Sequence, residues 1–363
     1  MKSAAQPGGP HGPPHGINAR ALPPAPTCGP RGTHPWPALL AALGLLAMLS
    51  ACSTATVAPP ATAPELPPPD PRFAAAAPPP TAAEVFALSS EMQHYLATAL
   101  PGTAQERRRP AALVRALNTL GDLKLAYDAS TTRTAAQAFE ARAGNCLSLV
   151  IMTAALAKAQ GISVTYNLVL GEVSYRREAG LLLTSGHVNL TLGRPLRDRG
   201  SSGFDASAWM TVDFLPGEDI TGQRRQPIDE ATVLAMFMNN RAAEAVAQGR
   251  LANAHALARE ALRHAPGFAT ARNTLAVVYL RAGLPVDAEP LLRQVLARTP
   301  TQTDALANLA SALQAQGRHA EARALVAQLA ALEPDPPLRA LYAAKLERLD
   351  RRADTPANLP LSR

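Results

Sequence analysis

Cys146 opens a stretch in which thiol chemistry is possible. It follows Ala141-Arg142-Ala143-Gly144-Asn145 and leads into Leu147-Ser148-Leu149-Val150-Ile151-Met152. Gly-Asn suits a turn and a helix N-cap. The apolar run predicts a helix from about Cys146 to Gln160, with Gly161 as its C-terminal stop. The thiol then lies in the first helical turn, where the helix dipole and free amides favour an anion. That lowers a thiol pKa and yields a nucleophile. The same amides can receive an oxyanion. A buried cysteine acting as a small hydrophobe is the competing account.

A nucleophilic thiol needs a base, and the base needs an orienting group. Beyond the helix the period changes to two. Ser163–Leu170 reads as a strand, and Leu181–Thr184 and His187–Leu192 read as strand material around Ser185-Gly186. Alternation puts His187, Asn189 and Thr191 on one face, and likewise Trp209, Thr211 and Asp213. If these strands pair, His187 and Asp213 lie side by side. A helix N-terminus packed on that sheet brings Cys146 to the ring. His187 then takes the thiol proton and Asp213 orients and stabilises the ring.

The segments Tyr127, Thr134-Ala135, Phe139-Glu140, Gly144-Asn145-Cys146, Ala155-Leu156-Ala157 and Gly161-Ile162, followed by Gly186-His187-Val188 and Val212-Asp213-Phe214, resemble the transglutaminase-like superfamily. The resemblance covers roughly 113–216. It implies a papain-like core, with a Cys-bearing helix against an antiparallel sheet carrying His and Asp. It also implies Cys146 as nucleophile, His187 as general base and Asp213 as orienting acid. Members include cross-linkers, deamidating enzymes, peptidases and catalytically dead relatives. Many members have an aromatic directly after the His, where this chain has Val188. No residue declares itself as a second oxyanion donor. Asn189 is the candidate, against a role as a polar strand residue facing solvent.

The positioning elements sit in a longer chain of 363 residues. From Met1 to Pro64 there is no Asp or Glu, while Lys2, Arg20 and Arg31 supply positive charge. The apolar run Ala38–Leu49 has signal-peptide length and is too short to span a bilayer. It ends in Leu49-Ser50-Ala51-Cys52, which resembles a bacterial lipobox with Cys52 as the lipidated residue; an ordinary secretory signal is the alternative. Ser53 is not Asp, which by resemblance to Gram-negative sorting favours the outer membrane facing the periplasm. Cys28 leaves with such a leader, so Cys146 is the free thiol of the mature chain. Of the 34 prolines, 20 fall in the first 80 residues. The Pro/Ala-rich stretch 52–81 reads as a semi-rigid, solvated tether.

At the other end three series recur every 34 residues: Gly249, Gly283, Gly317; Pro266, Pro300, Pro334; and Ala254, Ala288, Ala322. That period fits the tetratricopeptide (TPR) helix–turn–helix unit. Glycines fall at the turn inside each pair, alanines allow close helix approach and prolines end the second helix. Asn239, Asn273 and Gln314 are candidates for a partner-binding concave groove. A stack that only buttresses its neighbouring domain, or forms a dimer contact, fits the pattern equally.

The expected fold class is α+β: a papain-like or transglutaminase-like domain followed by an all-α TPR solenoid. The expected organisation is a signal peptide with lipobox over 1–51, the tether over 52–81, the transglutaminase-like domain over 82–230, three repeats over 235–336, a capping helix over 337–352 and a tail over 353–363. Residues 82–127 read as about two helices. The net charge of +7 has no basic run longer than Arg107-Arg108-Arg109, which argues against a nucleic-acid partner. Three cysteines exclude a disulfide scaffold and a four-Cys zinc site. No His/Cys/Asp cluster has metal-ligand spacing, so neither metal nor cofactor is expected. The expected activity is attack on an amide of a protein or peptide through a thioester, in a membrane-anchored enzyme. The alternative is an inactive adaptor of the same architecture.

Overall fold

The computed structural model describes residues 19–20, 66, 68–100, 102–119, 125–178, 181–193, 209–214, 222–332, 339–340 and 344. The lipobox with Cys52, residues 194–208 and the expected tail 353–363 lie outside the described residues, as does most of the expected capping helix.

Four helices precede the site: α1 (Ala82–Val85), α2 (Ser90–Ala99), α3 (Ala104–Arg107) and α4 (Pro110–Thr119). The two extra ones are single turns, each started by a capping box in which a threonine and a glutamate satisfy each other's backbone amides. Periodicity could not register them, because one turn has no period. Strand β1 (Ala19–Arg20) lies within the expected leader. A short parallel pair, β2 (Ala126–Tyr127) and β3 (Ala143–Gly144), brackets α5 (Ala135–Ala141). Helix α6 (Cys146–Ala159) follows.

The main sheet is built from β4 (Val164–Glu178), β5 (Leu181–Gly193), β6 (Trp209–Val212) and β7 (Arg225–Ile228). With β1 at one edge its order is β1-β6-β5-β4-β7, and every neighbouring pair is antiparallel. β5 runs unbroken through Ser185-Gly186, where two separate strand pieces were expected. The sequence places turn-forming residues there, but continuous pairing with β4 carries the strand through; the only irregularity is a register shift between Leu168 and Val173. Helix α6 packs against this sheet, with every residue from Leu147 to Ala157 buried. A helix apolar on all sides belongs at the centre of a core.

Six further helices complete the chain: α7 (Glu230–Ala247), α8 (Leu251–His264), α9 (Ala269–Arg281), α10 (Pro285–Arg298), α11 (Thr303–Ala315) and α12 (His319–Leu332). They form three antiparallel pairs. Gly249, Gly283 and Gly317 occupy the turn within each pair at φ of +71°, +75° and +77°. A side chain there would be strained, which accounts for the glycine series. Ala254, Ala288 and Ala322 are each fully buried where helices approach closely.

Two expectations change here. The repeats' first helices α7, α9 and α11 pack against β5, so the sheet of the same chain lies on the face expected to be an open groove. The tether, expected to be solvated, is docked from Pro68 to Ala77. Phe73 stacks on His255 at 4.5 Å between ring centroids and meets Tyr279 edge-on at 5.7 Å. Arg72 pairs with Asp287 at 3.0 Å, Arg259 donates to the Pro68 carbonyl at 3.2 Å, and the Ala77 amide donates to Asn253 at 3.3 Å. Proline content pointed to an extended backbone, but Pro71–Phe73 forms a short 3-10 helix. Proline content also gave no weight to the one aromatic that finds a ring pair to stack on.

Candidate functional site

Asn145 starts α6 as its N-cap. Its Oδ1 accepts from the Ser148 amide at 2.9 Å and from the Ser148 hydroxyl at 2.8 Å. The Leu149 amide is taken by the Asn145 carbonyl. Helix geometry therefore leaves the amides of Cys146 and Leu147 without an intrahelical acceptor, beside the thiol. The other end of the Asn145 amide donates to the Thr132 hydroxyl at 2.9 Å. Thr132 is in turn held by α7: its amide donates to Glu244 at 2.6 Å, and Arg241 donates to its carbonyl at 3.1 Å. The first repeat helix thus braces the loop that braces the cap of α6.

His187 and Asp213 come together as the strand faces require. The His187 Nε2 lies 2.9 Å from both carboxylate oxygens of Asp213. Both side chains are buried, at 6% and 1% exposure. The Cys146 thiol lies close enough to the His187 ring to influence its titration. With Nε2 committed to Asp213, Nδ1 is the nitrogen that remains for sulfur. Burial pulls the pKa of the ring down. The hydrogen bond with Asp213 and the nearby Cys146, with their charges, outweigh it and hold the ring at about 10. An imidazole so placed keeps its proton at neutral pH.

Asn189 does not face solvent and does not serve the thiol. It is fully buried, and its amide nitrogen donates to Asp213 Oδ2 at 3.0 Å. The expected oxyanion donor is instead a support for the carboxylate. The reason is register: pairing of Leu190 with Val212 and Thr191 with Thr211 puts Asn189 opposite Asp213 and leaves His187 on the diagonal. Face alternation cannot reveal register.

The groove candidates also change. Asn273 is fully buried; it donates to Asp304 at 3.0 Å and accepts from Asn308 at 2.9 Å, which ties α9 to α11. Asn239 is buried as well, and its Oδ1 has no hydrogen-bond partner. Gln314 on α11 is partly exposed. The packing of α7, α9 and α11 on β5 and on each other encloses the first two.

Tyr127 and Asn167 belong beside the site. Tyr127 pairs in register with Gly144 and remains 41% exposed. Burial of its phenol raises its pKa, and the charge of Cys146 raises it further. Asn167 is the cross-strand partner of Asn189. Its sequence signal was the alternation of Thr165 and Asn167 with Val164, Tyr166 and Leu168, a polar row on one face of a strand. Among the described residues no group of three or more His, Cys, Asp or Glu could hold a metal ion.

A comparison with curated proteins returns no match. Two family models described as "Tetratricopeptide repeat" match residues 239–303 and 280–345, so the helical C-terminal region is a run of repeats of the kind that binds proteins, set behind an α+β portion with an antiparallel sheet.

Proposed function

We propose that this chain is a cysteine acyl-transfer enzyme of transglutaminase-like type, with its catalytic domain over 82–230. Its substrate is an amide of a protein or peptide. The observation that carries this reading is the buried His187–Asp213 pair beside a thiol at a helix N-terminus.

The geometry supports the following sequence of steps. His187 Nδ1 holds the thiol proton, and the Cys146 thiolate attacks the amide carbonyl carbon. The C=O π pair moves onto oxygen, and the amides of Cys146 and Leu147 receive that charge. His187 passes its proton to the departing nitrogen as the C–N bond breaks, which leaves a thioester on Cys146 and a free amine. Water or a second amine then gives its proton to His187 and attacks the thioester. Collapse releases the thiolate with a carboxylic acid or a new amide. Asp213 keeps the ring in one tautomer and orientation throughout. Water as acceptor gives hydrolysis, which on a side-chain amide is deamidation, and a second amine gives transamidation. Tyr127, exposed beside the thiol, is a wall for the incoming acyl group.

The leader and lipobox support export and a lipid anchor on Cys52, with the protein held at the outer membrane and facing the periplasm. Among the described residues no helix is long and apolar enough to cross a membrane. Mass spectrometry of the mature N-terminal peptide tests the anchor: a diacylglyceryl adduct on Cys52 is expected, and an unmodified Cys52 within an uncleaved leader refutes it. The repeats give the enzyme a protein-binding face that recruits the substrate or a partner.

The enzyme reading is tested on the thiol. The rate of Cys146 alkylation by iodoacetamide is measured against pH, with the adduct read on the Cys146 peptide. Reaction well below the ordinary thiol pKa of about 8.5 is expected, and its loss in His187→Ala. An ordinary profile in the wild-type chain refutes it. The repeat matches would then favour an inactive adaptor that works through 239–345.

A further inference from the structure

Asp213 carries a carboxylate into an almost fully enclosed place, and a buried charge is stable only with several well-placed donors. His187 supplies one. The second is Asn189, whose Nδ2 lies 3.0 Å from Asp213 Oδ2. An amide can present either end, and the oxygen end would repel the carboxylate. Asn167 decides which end faces Asp213. It is the cross-strand partner of Asn189, and its Nδ2 donates to Asn189 Oδ1 at 3.1 Å. With its oxygen so occupied, Asn189 must turn its nitrogen to Asp213. Asn167 is held in place by the Thr191 hydroxyl at 3.1 Å. That hydroxyl lies 3.1 Å from the Thr211 hydroxyl, which accepts from Arg225 at 2.8 Å. The row therefore crosses the sheet from the cation on β7 to the carboxylate beyond β6.

Both asparagines are buried, at 6% for Asn167 and 0% for Asn189. Aliphatic residues of similar volume would fill these places at no desolvation cost. The amides therefore serve orientation and not bulk stability. We infer that Asn189, oriented by Asn167, positions the Asp213 carboxylate and through it the His187 ring opposite Cys146. Both asparagines are positioning residues: neither touches the thiol or the acyl group. The inference deepens the enzyme reading and rests on it.

The test uses the full chain. Alkylation of Cys146 by iodoacetamide is followed against pH in wild type, His187→Ala, Asn189→Leu and Asn167→Leu. Leucine keeps the volume and removes the polar contacts. A one-unit rise in the effective thiol pKa lowers the thiolate fraction about tenfold at acidic pH. Asn189→Leu is expected to lose the low-pH reaction by about tenfold or more on that scale, and Asn167→Leu to lose less, because its neighbour's amide survives without a fixed orientation. Above the ordinary thiol pKa of about 8.5, both react at the wild-type rate. A merely structural disturbance would instead alter the rate at all pH values and shift the urea midpoint. If Asn189→Leu does not fold, Asn167→Leu reads the same limb. A low-pH limb lost in His187→Ala but intact in both leucine variants overturns this inference alone. A wild-type chain without that limb overturns the enzyme reading and this inference with it.

Discussion

Gly144→Ala should injure the site from outside it. Gly144 lies two residues before Cys146 and, unlike the repeat glycines, is not in a left-handed conformation. What it provides is room. A Cβ added there would lie 2.7 Å from the Ser148 Cβ, 3.5 Å from its Oγ and 3.6 Å from Leu149 Cδ2. Carbon atoms rest at about 3.5–4.0 Å, so the closest pair overlaps by about 1 Å. Ser148 cannot step aside. It is fully buried, its hydroxyl donates to Asn145 at 2.8 Å, and the same oxygen accepts from the Arg133 amide at 2.8 Å. Its Cβ is fixed to the helix backbone, so relief requires moving the first turn of α6, with Cys146 in it. Overpacking of this kind costs about 1–3 kcal/mol. Urea unfolding of Gly144→Ala should show that loss. Removing the opposing Cβ with Ser148→Gly costs about 0.5 kcal/mol in helix propensity, besides the two hydrogen bonds. In the double variant the overlap is gone, so its loss should fall short of the sum of the singles by about 1 kcal/mol or more. Additivity within about 0.5 kcal/mol would refute the steric account.

Glu244→Ala removes the acceptor for the Thr132 amide and should cost about 1.5–3 kcal/mol, as for a hydrogen bond to a charged group. Hydrogen exchange should quicken first at Thr132 and Arg133, and unchanged protection there would contradict the bracing by α7. Phe73→Ala loses a ring contact worth about 0.5–1.5 kcal/mol beyond its buried area. It should free residues 68–77, seen as faster tryptic cleavage after Arg72, whereas an unchanged rate would argue against docking. His255 is kept neutral by burial and by the nearby Arg259 charge, with a pKa lowered to about 4. The unfolded chain therefore binds the extra proton first, and stability from this residue should fall as pH drops from about 6.5 towards 4. His255→Phe keeps the stack on Phe73 and should flatten that part of the urea-midpoint profile. His187 has the opposite sign: raised to about 10, it contributes fully below about 6.5 and loses its contribution as pH rises through 10.

Local signals carried much of the site. Asn145 before an apolar run marked the start of α6 and Gly161 its end, because caps answer to backbone groups within a few residues. Alternation placed His187 and Asp213 on facing strand sides for a similar reason: side-chain direction follows from position along one strand. The repeat period was equally plain, since each 34-residue unit must solve the same turn and packing problem. The single-turn helices α1 and α3 were not legible as separate elements. The continuity of β5 through Ser185-Gly186 was also hidden, because it depends on what a partner strand offers.

Order along the chain determined which residues could be nucleophile, base and orienting acid, and which segments would form a helical stack. Spacing, caps and alternation are short-range properties, and each leaves its mark in a few neighbouring residues. Only the tertiary structure decided that Asn189 supports Asp213 rather than an oxyanion, since strand register is set by two distant segments at once. It alone decided that α7, α9 and α11 lie on β5, and that Phe73 leaves the solvent for His255 and Tyr279. Burial and pairing between residues more than a hundred positions apart belong to packing, and no local pattern encodes which apolar face will meet which.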